Sequence, residues 1–171
     1  MQAWDDAAAL ADRKWDKIFG EVIPRAQAHI AAELKLPDPR TLAFASSTHE
    51  FLSRIFATRW PDRPMDVLTS DGEFHSFRRQ AARWEERGVM TQRKVACEPF
   101  DTFTERFLAA AREKTPDIIF LSHVMFRSGL RFDGAEEIAK HAAPDGAWVV
   151  LDLYHSFRAM PCDFSRIADR V

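Results

Sequence analysis

The chain has 171 residues, of which 46% are hydrophobic and 29% charged, and its formal net charge is −2. This length is enough for one domain with a substantial core, and the composition is ordinary for a globular protein. A net charge so close to zero gives no indication of a nucleic acid or an anionic membrane as partner. No apolar run in the sequence approaches the ~20 residues that a membrane-spanning helix needs.

The cysteines and the first residues indicate the compartment. Cys97 and Cys162 lack CxxC spacing, which favours structural thiols in a reducing environment over a disulfide. The histidines are scattered and supply no set of three or four ligands at metal-site spacing, so no metal site is predicted. The opening MQAWDDAAAL lacks the basic and apolar segments of a secretory signal. These features predict a cytoplasmic protein.

The first part of the chain has a helical pattern. Apolar residues recur at three- and four-residue steps over residues 2–35, which predicts a long N-terminal helix. Pro24 is expected to break or restart this helix because proline has no amide N–H to donate. The following LPDPR, residues 36–40, predicts a loop.

From residue 41 to residue 171, short apolar runs alternate with amphipathic stretches. The runs predict strands at 41–45, 66–70, 93–97, 117–122 and 147–152. The stretches between them predict helices at 48–57, 73–87, 103–112 and 134–141. This alternation predicts an α/β fold of three layers, with helices on both faces of a mainly parallel sheet. Residues 117–121 and 147–151 are apolar throughout, as expected for strands covered on both faces.

Polar and aromatic residues follow most of the predicted strands. Ligands of such sheets bind beyond the carboxyl ends of the strands, so a ligand site is expected along this edge. The candidates are Ser46, Ser47, Thr48, His49, Ser70, Asp71, Glu73, Phe74, His75, Ser122, His123, Phe126, Asp152 and His155.

Two of these groups lie at the start of predicted helices, and each has two interpretations. Ser47, Thr48 and His49 could bind a phosphate at a helix N-terminus, or they could simply cap the helix. The segment lacks the glycine pattern of a Walker loop or a dinucleotide fingerprint. Phe74 could stack on a planar ligand, or it could pack into the core as a hydrophobic staple.

The other two groups follow the most apolar strands. Ser122 and its neighbour His123 are candidates for the ligand site or for purely structural hydrogen bonds. Asp152 ends the apolar run that begins at Trp148, and a carboxylate there is costly unless a cation meets it. A protonated pyridine nitrogen is such a cation, and His155 could orient the carboxylate or stack near the ligand. The alternative is an aspartate that caps a helix, with a histidine nearby.

In this order, the motifs resemble those of the pyridoxal-phosphate-dependent class V aminotransferase group of fold type I. That group includes kynureninases, cysteine desulfurases and selenocysteine lyases, and the resemblance covers residues 40–165. STHE (47–50) resembles the phosphate-binding turn, and EFHS (73–76) resembles the segment whose ring stacks on the cofactor. DLYH (152–155) fits the Asp-x-x-His pattern. SHVMFRSG (122–129) resembles a desulfurase segment in which Phe126 replaces an asparagine.

The resemblance implies pyridoxal 5′-phosphate as cofactor and an amino acid as substrate. It assigns the phosphate to Ser47, Thr48 and His49, the stacking ring to Phe74, the pyridine nitrogen to Asp152, and the O3′ side to His155. Ser122 and Phe126 are expected near the substrate or just behind the site. Phe74 and Phe126 favour kynureninase-like Cβ–Cγ hydrolysis over desulfuration or transamination. The full-length protein is expected to be a homodimer, as family members usually are.

The resemblance also implies a Schiff-base lysine downstream of His155, and none is present. The chain's lysines all precede Asp152: Lys14, Lys17, Lys35, Lys94, Lys114 and Lys140. We therefore expect residues 1–171 to be an incomplete cofactor-binding large domain, without the small C-terminal domain and without a catalytic residue of its own. In this fold two later strands separate the first strand from the fifth, so an open sheet edge is expected along 147–151.

Two other functions remain open. The missing lysine is compatible with a non-catalytic binding or interaction module that retains the fold. A flavodoxin-like or Rossmann-like domain with an unrelated ligand ranks last, because the glycine loop usual in such domains is absent.

Overall fold

The computed structural model describes residues 1–58, 60–143 and 146–170. They form two compact units. The first comprises Met1–Phe44 together with Cys162–Ser165, and the second comprises Ala45–Pro161 together with the segment that begins at Arg166. In the described part of the chain, no helix combines the length and the apolar character needed to span a bilayer.

The first unit is mainly helical. Its elements are α1 (Gln2–Leu10), a 3₁₀ turn (Ala11–Arg13), α2 (Lys14–Lys17), a π-helical turn (Ile18–Val22) and α3 (Ile23–Leu34). Pro24 lies in the first turn of α3, where a missing N–H costs nothing, so the helix restarts there as predicted. The sharper interruption is at Ala11, whose φ of 46° lies in the left-handed region.

The strand predicted at residues 41–45 is wrong. Thr41 ends a 3₁₀ turn (Pro39–Thr41), and the residues after it form no ladder with another strand. The main-chain carbonyl of Leu42 instead accepts a hydrogen bond of 2.7 Å from the side-chain amide of Gln27. An apolar run becomes a strand only where a neighbouring strand satisfies its main chain, and here a side chain takes that place.

The second unit alternates helices and strands as predicted. Its elements are α4 (Thr48–Thr58), β1 (Met65–Ser70), α5 (His75–Glu86), β2 (Met90–Val95), α6 (Phe103–Glu113), β3 (Ile118–Ser122), α7 (Ala135–Ala139) and β4 (Trp148–Asp152). Three strands lie within one residue of their predicted starts. β2 begins at Met90, three residues before the predicted start, because it pairs with β1 over the whole length of both strands.

The four strands are all parallel and lie in the order β2–β1–β3–β4. The predicted α/β class with a parallel sheet is therefore confirmed. From β1 the chain first forms the neighbouring β2 and then crosses to the opposite side of β1 to form β3. The topological switch point, where such sheets bind ligands, thus lies between β1 and β3. No second strand flanks β4 within the described residues, which agrees with the predicted open edge.

Both faces of the sheet are covered by apolar side chains, and successive strand residues alternate between the two. On one face Leu68, Ile119, Leu121 and Val149 pack against Phe103, Phe107, Phe132 and Ile138. On the other face Val67, Ile118 and Phe120 pack against Leu52, Phe56, Phe77 and Ala81. This two-sided burial explains why the central strands are apolar at nearly every position.

Charged side chains at the amino ends of the strands satisfy one another. Asp66, buried at the start of β1, pairs with Arg93 Nε at 3.0 Å and with Lys114 Nζ at 2.7 Å. Asp117, just before β3, accepts a hydrogen bond of 2.8 Å from the Asp66 N–H and pairs with Arg63. These interactions fix the start of β1 relative to β3, and they pair these charged side chains with one another.

The aromatic pair at the centre of one face provides a test of the core. The rings of Phe77 and Phe120 stack with centroids 3.9 Å apart and planes within 6° of parallel. We expect Phe120→Ala to lower the free energy of unfolding by about 3–5 kcal/mol, because a cavity replaces a buried ring. Phe100→Ala, at a residue that is 45% exposed, should cost less than about 1 kcal/mol. Urea unfolding measures both, and equal losses would contradict this account of the core.

Candidate functional site

Three predicted site residues meet at the carboxyl edge of the sheet. The ring centroids of Phe74 and Phe126 lie 5.0 Å apart, with planes at 80°. His155 lies 5.7 Å from Phe74 and 5.5 Å from Phe126. Each ring follows a different strand, β1, β3 or β4, and parallel strands end at one edge, so residues distant in sequence become neighbours.

Two further rings complete this group, which we call the aromatic cluster: Phe74, His75, Phe126, Tyr154 and His155. The centroid of His75 is 3.8 Å from that of Phe74, and Tyr154 lies 6.2 Å from Phe74 with planes within 13° of parallel. Tyr154 is 71% exposed and Phe126 is 48% exposed. Clustered rings exposed to this degree are typical of binding surfaces rather than of a closed core.

Asp152 is the last residue of β4 and lies opposite Ser122 of β3 in the strand register. Its Oδ1 accepts a hydrogen bond of 2.9 Å from the Tyr154 N–H, which shapes the turn that carries the cluster residues Tyr154 and His155. The side chain is half-buried, and no cationic side chain among the described residues pairs with it. The aspartate therefore forms a turn, as in the capping alternative, and keeps a negative charge available for a ligand.

His155 carries an unsatisfied polar atom. Its Nε2 is buried and has no hydrogen-bond partner among the described residues. A buried nitrogen without a partner costs about 1–3 kcal/mol, so such atoms in folded proteins need an explanation. A ligand atom at this position would supply the missing hydrogen bond.

Glu73 is a buried acid that the sequence analysis placed among the strand-end candidates without assigning it a role. It is 4% exposed, and its two carboxylate oxygens join two strand ends. The Ser70 hydroxyl donates to Oε1, and the Ser122 N–H and hydroxyl donate to Oε2 at 2.9 and 2.6 Å. Ser122 is thus buried behind the aromatic cluster, and its hydroxyl hydrogen is directed at Glu73.

The environment of Glu73 shifts its protonation. Burial raises the pKa of Glu73 to about 7, the hydrogen bonds from Ser122 and Ser70 act in the opposite direction, and the charge of Asp152 raises it further. Glutamate is normally exposed, so the sequence alone gave no reason to single it out among the strand-end residues. The available signal was the pair of serines that end β1 and β3.

The turn before Glu73 is held on its other side by the end of β2. The Cys97 N–H donates to Asp71 Oδ1 at 2.8 Å. A Cβ on Gly72 would lie 2.6 Å from Cys97 Sγ and 3.3 Å from Met125 Sδ, so only glycine fits without a shift of its neighbours. Burial raises the pKa of the Cys97 thiol to about 11, which keeps it protonated and unreactive.

The predicted phosphate residues form the N-terminus of α4. The Ser47 hydroxyl accepts the Glu50 N–H at 3.3 Å, and the Glu50 carboxylate accepts from the Ser46 N–H and hydroxyl at 2.9 and 2.6 Å. These are capping interactions. Thr48 is half-buried and His49 exposed, and no hydrogen bond or ring contact in the described part joins either to the aromatic cluster. Phosphate binding by this turn stays a prediction.

The partners of the lysines are residues outside the aromatic cluster. These partners are Trp15 for Lys14, Asp6 for Lys17, Asp163 for Lys35, Glu85 for Lys94, Asp66 for Lys114 and Glu137 for Lys140. Across residues 1–58, 60–143 and 146–170, no group of three or more His, Cys, Asp or Glu side chains is arranged to hold a metal ion.

Comparison with known proteins finds similarity in structure only. No protein-family model and no curated protein sequence matches the chain. A lysine-to-alanine mutant of C-DES, with glycine covalently linked to its PLP cofactor, superposes with a TM-score of 0.76 at 15% identity, covering 97% of this chain and 45% of that one. The complex of the cystine C–S lyase C-DES with its product cysteine persulfide gives 0.67 at 18% identity, covering 89% and 41%.

The complex of SepCysS with the N-terminal domain of SepCysE gives a TM-score of 0.55 at 18% identity, covering 85% of this chain and 39% of that one. The chain spans less than half the length of each of these three neighbours. At such identities the similarity concerns the fold. It confirms the predicted α/β fold, that of the fold type I large domain.

The pKa of Glu73 predicts an unusual pH dependence of stability. Because the folded value, about 7, exceeds the ordinary 4.5, the folded state keeps this proton to higher pH than the unfolded chain does. The free energy of unfolding should therefore fall as pH rises between these two values, by about 3 kcal/mol at most from this residue. Glu73→Gln cannot titrate and should remove this part of the profile. Urea unfolding from about pH 5 to about pH 8 measures it, and parallel profiles for the two proteins would contradict the assignment.

Proposed function

We propose that this chain forms the cofactor-binding part of a pyridoxal-phosphate-dependent enzyme that acts on an amino acid. The observation that carries the proposal is the half-buried Asp152 carboxylate, which has no cationic side-chain partner among the described residues and accepts a hydrogen bond from Tyr154 of the aromatic cluster. A cationic, planar heterocycle provides both the charge and the flat apolar surface that this arrangement leaves unmatched.

The chemistry of the side chains fits the cofactor at each of its groups. Asp152 suits a protonated pyridine nitrogen, because a carboxylate in a partly buried site favours the charged form of a basic partner. Phe74 offers an aromatic face to a flat ring. The unpartnered Nε2 of His155 suits the oxygen substituent of the ring.

The first turn of α4 is our candidate for the phosphate. Its main-chain N–H groups and the positive end of the helix dipole favour an anion, and the hydroxyl of Thr48 and the imidazole of His49 add donors. Ser47 accepts a hydrogen bond in its capping role, and its own hydroxyl hydrogen remains available to a phosphate oxygen.

When bound, the cofactor would supply an electron sink for chemistry at the substrate's Cα. Asp152 would keep a proton on the pyridine nitrogen, which would strengthen that sink. Phe74 would cover one side of the ring and exclude water there, and His155 would orient the ring. Because no lysine contacts the aromatic cluster in the part of the chain that the structure describes, we expect the chain alone to bind the cofactor without catalysing the reaction.

The reaction branch follows from weaker indications. Phe74 and Phe126, whose rings meet edge to face, support kynureninase-like Cβ–Cγ hydrolysis. The similarity to C-DES, described as a cystine C–S lyase, supports a lyase instead, and transamination is a third route. We also propose a cytoplasmic location, in keeping with two buried cysteines that are not joined in a disulfide within the described residues, and a homodimer for the complete protein.

A non-catalytic binding module is the second candidate. The lysines favour it, because each of them makes its contact outside the aromatic cluster. Such a module would hold the same ligand without turnover even when joined to the rest of its polypeptide. Amino-acid turnover by the complete protein separates the two candidates.

Binding of pyridoxine 5′-phosphate and of pyridoxine tests the role of Asp152. Both probes carry an alcohol in place of the aldehyde, so surface lysines do not react with them. We expect Asp152→Asn to weaken both by about tenfold or more, because each loses its charged partner. Asp133→Asn, at an exposed acid paired with Arg131, is the matched control and should leave both affinities unchanged. Calorimetry and induced circular dichroism report binding, and an unaffected Asp152→Asn variant would refute the assignment.

The same two probes test the phosphate turn separately. Thr48→Val removes a hydroxyl at nearly constant volume. We expect this variant to bind pyridoxine 5′-phosphate several-fold more weakly and to bind pyridoxine as the original chain does, with a loss of about 1 kcal/mol for the phosphate probe. Equal weakening of both probes would show that Thr48 acts on something other than the phosphate.

A further inference from the structure

Glu73 joins three parts of the ligand site. Its carboxylate receives hydrogen bonds from Ser70 at the end of β1 and from Ser122 at the end of β3, so it spans the topological switch point. The next residue is Phe74, which precedes the first residue of α5 and belongs to the aromatic cluster. The position of Glu73 therefore determines the position of the neighbouring main chain that carries the Phe74 ring.

The same strand end also carries the ring that Phe74 contacts. Phe126 follows Ser122 by four residues, and its ring meets the Phe74 ring edge to face at 5.0 Å. A displacement of Glu73 from Ser122 would therefore move one ring of this pair relative to the other. Asp152 lies on β4, opposite Ser122 in the strand register, and therefore on the side of β3 that faces away from β1.

The need for stability alone does not explain a buried carboxylate at this position. Burial of an acid costs desolvation free energy, and an apolar or amide side chain at such a position is often as stabilising. A carboxylate differs in accepting several hydrogen bonds in fixed directions, which holds a turn in one place. These properties suit a residue whose role is geometric.

We propose that Glu73 is a positioning residue of the ligand site, which holds the Phe74 ring in place relative to Phe126 and Asp152 by bridging Ser70 and Ser122. The identity of its ligand rests on the proposed function, whereas the positioning itself does not. The geometry carries the inference: one buried carboxylate, donors from two strands, and a cluster ring on the next residue.

The charges around Glu73 connect it with ligand binding. Asp152 on β4 is the charge that acts on it, Ser70 on β1 and Ser122 on β3 are neutral donors, and Asp71 in the same turn bonds to the Cys97 N–H. A cation bound at Asp152 would offset its charge and favour ionised Glu73. The ionised form accepts all three hydrogen bonds, so ligand binding should strengthen the bridge.

A double-mutant cycle tests whether Glu73 acts through Phe74. Pyridoxine 5′-phosphate is titrated into the original chain, Glu73→Gln, Phe74→Ala and the double variant. We expect Glu73→Gln to weaken binding about tenfold in the original chain and less than about twofold when Phe74 is already alanine. Equal losses in the two backgrounds would overturn the proposal. Asp66→Asn, at a buried acid of the opposite sheet edge, is the matched control and should leave binding within about twofold.

A ligand-free measurement separates this proposal from the proposed function. In the original chain, NMR should show nuclear Overhauser effects between the ring protons of Phe74 and Phe126. We expect them to disappear in both Glu73→Gln and Ser122→Ala and to persist in Asp66→Asn. Their persistence in the first two variants, with folding checked by circular dichroism, would overturn the positioning role. If the original chain does not bind the probe but the effects still disappear, the proposed function fails and the positioning role stands.

Discussion

In a parallel sheet that is covered on both faces, the edges at the two ends of the strands are the places where polar side chains can be accommodated. This constraint determines the arrangement of the whole second unit. The strand residues alternate between two apolar layers, with Val67 in one and Val149 in the other, so burial of a charge on either face would cost free energy. At the amino edge, Asp66 and Asp117 neutralise Arg93, Lys114 and Arg63. At the carboxyl edge, Asp152 has no such partner among the described residues. This asymmetry between the two edges is why we propose the ligand site at the carboxyl edge.

The carboxyl edge combines rigid and open parts. Ser70 and Ser122 are buried and both donate hydrogen bonds to the buried Glu73, whereas Phe126 and Tyr154 are exposed. The buried residues thus fix the start of the loops, and the exposed rings are accessible from the solvent. Catalytic and binding sites commonly depend on such supporting hydrogen bonds behind the groups that touch the ligand.

The sequence predicted those features that depend on local pattern. The central strands were recognisable because burial on both faces makes them apolar throughout. Asp152 and Phe74 became site candidates because Asp152 ends such a strand and Phe74 lies four residues after one. Residues 41–45 misled for the same reason: an apolar run was present, but its pairing depends on a neighbour that no local pattern reveals. Glu73 was listed as a candidate but its role was not predicted, because burial of an acid depends on which serines reach it, and Ser122 is 49 positions away.

Pro24 and Gly72 illustrate what can and what cannot be predicted from the sequence. The effect of Pro24 follows from its covalent structure and could be stated in advance. The need for glycine at position 72 arises from a sulfur atom of Cys97, which the fold brings close from another strand end.

The outermost strand, Trp148–Asp152, exposes one row of main-chain donors and acceptors in the described part of the chain. A further ribbon of polypeptide could add there by backbone pairing, lengthening the sheet sideways. Such an addition would leave the switch point between β1 and β3 undisturbed, because β3 lies between β1 and β4. The sheet can therefore be extended laterally by another segment or another molecule without any change in the order of β2, β1 and β3.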